Sequence, residues 1–177
     1  MGLALGIFLT AMLLSCGSKE SVSVRFALAP KDIPESRLSD IDKILTEFNE
    51  LAGSQIAYLC ADDCNGSIGF DDQLQNGVVG LCEPSTYTES KSSFSIKKGL
   101  TTRRKKELRA DIKLVSDLKF QGDYELLRTI IFHELGHGLL LDHSSGPSDV
   151  MFATVNGEKN LESFFVQVRQ RIGDFTQ

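Results

Sequence analysis

Tryptophan is absent from this chain of 177 residues, and histidine and tyrosine occur only three times each. A basic excess is missing too: 19 Lys and Arg against 24 Asp and Glu give a formal net charge of -5 and a pI near 5.2. Without an overall basic balance to neutralise phosphates, the chain does not read as a nucleic-acid binder, and peptides or small molecules are the expected partners. No apolar stretch reaches the roughly 20 residues that span a bilayer as a helix. No internal repeat or low-complexity tract appears, and the length suits one domain with one core.

Cysteine is sparse as well: Cys16, Cys60, Cys64 and Cys82. The C-x3-C pair at Cys60 and Cys64 lacks the second pair that a structural zinc clip needs. In an exported chain these residues instead suggest one disulfide and one leftover thiol, with the pairing left open. Export is indicated by the opening "MGLALGIFLTAMLLSC", which carries no charged side chain and holds an apolar run of signal-peptide length. Its end, Leu13-Leu14-Ser15-Cys16, resembles the lipobox of bacterial lipoproteins, although no Lys or Arg precedes the run. That resemblance implies a signal peptide over residues 1–15 and lipidation of Cys16. Residues 16–21 would be a polar tether, and residues 22–177 a domain held at the bacterial envelope. Gly17, where some bacteria use Asp for retention, implies the outer membrane.

Along the rest of the chain, alternation predicts strands at Val22 to Leu28, Gln55 to Cys60, Ser67 to Phe70, Gly77 to Cys82 and Arg109 to Val115. Between the first two, Leu38, Ile41, Ile44, Leu45, Phe48 and Leu51 recur at helical spacing, with Gly53 as the stop. Residues 83–102, rich in Ser, Thr and Lys, read as a loop, and Arg103 to Lys106 as a solvated face. "DYELLRTIIFHELGHGLLL" is apolar on most of its surface and opens on Asp123 as an N-cap, so it reads as a buried helix. A closing helix places Leu161, Phe164, Phe165, Val168 and Ile172 on one stripe.

All three histidines fall within eleven positions, as His133, His137 and His143. The first two are four apart, so on a helix they project about 40° from one another and one cation can touch both. Neutral imidazole is a preferred zinc ligand, and Glu134 on the flank of that face is positioned as general base for a water activated at the ion. Catalytic zinc usually takes three protein ligands. His143 is the candidate third, but on a continuing helix it would be rotated about 240° away from His137, so the chain must turn between them.

"HELGHGLLLDHS" with Met151 eight residues on resembles the H-E-x-x-H-x-x-G-x-x-H signature and Met-turn of the metzincin metallopeptidases, closest to the matrixin form. The order of expected elements is similar to the matrixin catalytic domain. The resemblance implies an α+β fold, metzincin-like: a twisted five-stranded mixed sheet with an active-site helix and a backing helix, plus a small C-terminal subdomain with a Met-turn and one helix. It implies a zinc-dependent endopeptidase with one Zn²⁺, a monomer acting on peptide or protein substrates. The fourth strand, with Gly77, Val78, Val79, Gly80 and Leu81, would be the antiparallel edge on which an extended substrate docks. The pocket wall after the scissile bond would come from residues 153–156.

Several residues depart from that pattern. Leu140 stands where the family has glycine, and a left-handed conformation there costs Leu about 1–2 kcal/mol. Gly138 offers an earlier place to turn. Phe152 and Ala153 leave no tyrosine two residues after Met151, so oxyanion stabilisation would fall to the metal and backbone amides. Asp142 and Ser144 are candidates to orient His143 or to cap a turn, and Asp62, Asp63, Asp71 and Asp72 are a solvated loop or, less favoured, a Ca²⁺ site. Two alternatives remain: a gluzincin-like enzyme using Glu158 or Glu162 as third ligand, and a non-catalytic zinc-binding lipoprotein.

Overall fold

The computed structural model describes residues 18–74, 77–95, 99–119, 123–154 and 159–176. The proposed signal peptide and Cys16 lie outside the described residues. The fold is α+β, with β1 (Ser18–Val24), β2 (Phe26–Lys31), α1 (Glu35–Ala52), β3 (Ala57–Leu59), β4 (Gly66–Asp71), β5 (Gly80–Ser95), β6 (Gly99–Val115), α2 (Tyr124–Gly138) and α3 (Leu161–Thr176). The sheet has six strands, not the five expected. Its order runs β3-β2-β4-β6-β5, with β1 beside the first half of β6; only the β5/β6 pair is antiparallel.

The extra strand comes from the segment read as one strand, Val22 to Leu28. It is split at Arg25 into β1 and β2, and β1 reaches back to Ser18, into the stretch expected as tether. The split follows from a change of partner. β6 pairs with β1 over Thr102 to Leu108 and with β4 over Asp111 to Val115, so β4 wedges in where β1 ends. Asn65 fills the junction: its Nδ2 donates to the Arg25 carbonyl (2.5 Å) and to Glu107 (2.8 Å), while its Oδ1 accepts the Ala27 amide (2.8 Å).

Of residues 83–102, expected as a loop, 83–95 and 99–102 are strand. They belong to a long hairpin in which β5 and β6 pair continuously from Gly80↔Leu114 to Ser95↔Gly99. From Glu83 to Ser93 this part of β5 is almost wholly exposed, so no buried face imposes the alternation by which a strand is recognised. Closer to the core the alternation holds: Leu108, Ala110, Ile112 and Leu114 are buried and face the helices, while Arg109, Asp111 and Lys113 are half-buried on the other face.

The helices meet over that buried face. Phe48 of α1, Phe132 of α2 and Phe164 and Phe165 of α3 pack ring to ring with centroids 5.0 to 6.4 Å apart. The C-terminal helix therefore shares the single core rather than forming a subdomain with its own. Polar ties fix the layer: Arg128 of α2 donates to both carboxylate oxygens of Glu47 of α1 at 2.8 and 2.6 Å. Asn49 of α1 is buried and accepts the Ile56 and Ala57 amides (2.9 and 3.0 Å) while donating to the Ala57 carbonyl, which docks β3 on the helix. Cys60 and Cys64 form the disulfide, leaving Cys82 as a buried thiol.

Candidate metal centre

Helix α2 starts as expected, with the Asp123 side chain accepting the Glu125 amide at 2.9 Å. Its end decides the site. The Leu141 amide donates back to the Gly136 carbonyl (3.0 Å) and the Leu140 amide to the His137 carbonyl (2.8 Å), the paired closure of a Schellman motif. That motif needs a left-handed residue, and Leu140 supplies it with φ +60° despite its side chain. Arg171 of α3 holds the strained residue by donating to its carbonyl at 2.8 Å. Gly138 is not the turning point. It stays helical, and its missing side chain lets α2 lie close to the sheet: a Cβ there would fall 3.1 Å from Phe26 and 3.3 Å from the Ala110 Cβ.

The reversal brings His143 back to the helix face. The Ser144 amide donates to the Met151 carbonyl (2.9 Å), pinning the loop, and the Met151 amide donates to Asp149 (2.9 Å). Met151 is buried, its sulfur against Gly136, where a Cβ would collide with it. Ser144 thus acts on His143 through its backbone, while its hydroxyl turns to the Gly146 carbonyl at 3.4 Å.

Three imidazoles converge. His137 Nε2 lies 3.1 Å from both His133 Nε2 and His143 Nε2, and the three ligand atoms lie within 4.8 Å of one another. His133 Nδ1 donates to the Val150 carbonyl (2.7 Å) and His137 Nδ1 to the Leu141 carbonyl (2.9 Å). A carbonyl can only accept, so both Nδ1 atoms carry the hydrogen and both Nε2 atoms present lone pairs. Burial pushes the His133 imidazole down to about 4 and lowers that of His137, so neither ring is inclined to hold a second proton. Two lone pairs facing each other at 3.1 Å repel unless a cation lies between them. A tetrahedral ion with nitrogens at about 2.0–2.1 Å needs them about 3.3 Å apart, so the donor set fits zinc.

Beside the trio, Glu134 is buried, its carboxylate accepting the Cys82 amide of β5. Burial pushes this carboxyl up to about 7, with the Cys82 amide pulling the other way. Gly80 permits the approach of β5, because a Cβ there would fall 2.5 Å from Glu134 Oε1 and 2.7 Å from Ile130 Cγ2. The neighbouring Cys82 thiol is raised well above its usual range by burial and by Glu134.

A cleft of about 640 Å³ runs between β5 and the histidines. It is lined by all of Gly77, Val78, Val79, Gly80 and Leu81 together with His133, Glu134, His137, His143, Leu140, Ala153 and Thr154. Regular pairing begins at Gly80, with Val79 joined by the Val115 amide (3.0 Å), so Gly77 and Val78 form the cleft rim and not a strand. Residues 155–158, including Glu158, lie outside the described residues. Glu162 is exposed on α3 beside Asn160, Ser163 and Gln167, and it is not among the residues gathered with the trio. Among the described residues the histidine trio is the group gathered for a metal; Asp71 instead accepts the Gln73 amide in a turn (2.8 Å).

Sequence reasoning missed the parts that lock the site: the Val150 and Leu141 carbonyls, the Cys82 amide and Arg171. Backbone partners leave no residue-type signal, and Arg171 is an ordinary polar position of a helix. The chain matches no protein-family model and no curated protein sequence.

Proposed function

We propose that this chain is a zinc-dependent endopeptidase of metzincin, matrixin-like type, held at a bacterial envelope, with the outer membrane favoured, through lipidated Cys16. The observation that carries the reading is the fixed tautomer of His133 and His137, which aims two lone pairs at one point shared with His143, next to a buried carboxylate. His133, His137 and His143 would hold the ion, and zinc bound there supplies Lewis acidity to a water and to a peptide carbonyl. Glu134, with a carboxyl near neutrality, takes the proton of the attacking water and returns it to the departing amine. β5 is an edge strand along the cleft, so an extended peptide adds to it by backbone hydrogen bonds and is drawn across the trio.

Glu134 argues against a binding-only role, since a site that merely stores a cation gains nothing from a buried carboxylate beside its ligands. The lipoprotein part rests on the apolar opening and Cys16; among the described residues no helix is long and apolar enough to cross a membrane. The test is hydrolysis of unfolded casein by the zinc-loaded chain. A chelator should stop it, and Glu134→Gln should abolish it while leaving zinc content unchanged. Activity that survives Glu134→Gln refutes the assigned base.

A further inference from the structure

The far half of the β5–β6 hairpin is the strongest charge feature that peptide hydrolysis leaves unused. Residues 88–95 and 99–106 hold five Lys or Arg and one acid, a net +4; the remaining chain holds fourteen Lys or Arg and twenty-three acids, a net -9. An acidic body thus carries a basic arm. Arg103, Arg104, Lys105 and Lys106 are all exposed, and the Lys91 side chain is 77% exposed.

Register concentrates this charge. Arg103 of β6 stands directly opposite Lys91 of β5, and Lys105, two residues further along β6, lies on the same face. Lys91, Arg103 and Lys105 thus form a row of cations side by side, an arrangement that destabilises a sheet. Glu89, opposite Lys105 and 3.0 Å from Lys91, offsets only part of it. Such a row is stabilised when an anionic surface covers it.

Topology says which surface. β1 runs parallel to β6, so Ser18 lies beside Thr102, and the chain enters the sheet at this basic end, two residues after Cys16 and the apolar run before it. The cleft lies at the opposite end of the hairpin, where Gly80 pairs with Leu114. Eleven residues of strand separate Gly80 from Lys91, about 35 Å.

We propose that the far half of this hairpin is a docking face for anionic phospholipid headgroups, which stands the domain on its membrane with the cleft held about 35 Å away. It rests on the envelope part of the proposed function, not on the peptidase part. The acidic body is repelled by the same surface, so the charge separation sets orientation as well as attraction.

The test compares partition of the full chain onto neutral phosphatidylcholine vesicles and onto vesicles with about 30% phosphatidylglycerol. Insertion of the N-terminus is common to both and cancels in the ratio. Each surface cation contributes about fivefold, so Lys91→Gln with Arg103→Gln and Lys105→Gln should lose on the order of 100-fold of the anionic preference. About 0.5 M salt should erase the preference of the native chain. Unchanged melting and zinc content in the triple variant exclude misfolding, and Cys16→Ser, which removes any lipid, should keep the preference. Equal binding to both vesicles by the native chain, a triple variant that keeps its preference, or tighter binding to a DNA oligonucleotide than to anionic vesicles overturns the proposal. Casein hydrolysis measured on the same samples reports separately on the peptidase reading.

Discussion

Gly80→Ala places a methyl group where the structure has none to spare: 2.5 Å from Glu134 Oε1 and 2.7 Å from Ile130 Cγ2. Ordinary carbon contacts begin near about 3.5 Å, so the carboxylate or β5 must retreat by about 1 Å. Ile130 is fully buried and cannot give way, which sends most of the displacement into Glu134 and the Cys82 amide that holds it. A misplacement of about 1 Å in a catalytic group costs on the order of 100-fold in rate, and the overpacking costs about 1–3 kcal/mol of stability. No histidine atom is among the three nearest this methyl, so zinc content should stay at the native level. The assay is steady-state hydrolysis of a quenched fluorescent peptide, alongside metal analysis and thermal melting. Gly146→Ala is the control, because nothing lies within 4 Å of a Cβ there. A Gly80→Ala protein with activity within about twofold of native would refute the idea that the edge strand is pressed against the base.

Three further outcomes are expected. Zinc at about 1,000 times its Kd should raise Tm by about 8–16 °C, as about 4 kcal/mol of linkage in a domain of this size, and His143→Ala should remove most of that rise; no shift in the native protein would mean that the trio does not hold the ion. Leu140→Gly relieves about 1–2 kcal/mol of left-handed strain at a side chain that is 40% exposed, so melting should show a Tm no lower than native, whereas Leu139→Ala, one residue earlier and fully buried, should cost about 2–5 kcal/mol in urea unfolding. Asn49→Ala leaves the Ile56 and Ala57 amides without their acceptor and should cost about 2–5 kcal/mol, a loss that Asn49→Asp, which keeps the accepting oxygen, should partly restore.

Much of the site could be read locally. His133, Glu134 and His137 are neighbours on one helix, so their spacing alone places them together, and the Asp123 cap and the apolar faces of α1, α2 and α3 are equally local. The strands nearest the core were legible because a buried face writes period-two alternation into the sequence, as at Arg109 to Val115. Where neither face of a strand is buried, that record is missing, and the hairpin through residues 83–102 read as a loop for this reason.

By itself the sequence determined the helical pair His133 and His137, the carboxylate of Glu134 between them and the helix that carries all three, since those depend on residue type and on turns of a few residues. The tertiary structure alone decided that Leu140 accepts a left-handed conformation to bring His143 home, that Cys60 takes Cys64 as partner, and that β4 displaces β1 beside β6. It also decided the tautomers of His133 and His137, through the Val150 and Leu141 carbonyls. Apart from the disulfide, each of these depends on a backbone group or joins segments far apart along the chain. Such contacts are set by the packing of the whole core, and every residue offers the same amide and carbonyl, so no local pattern of side chains encodes them.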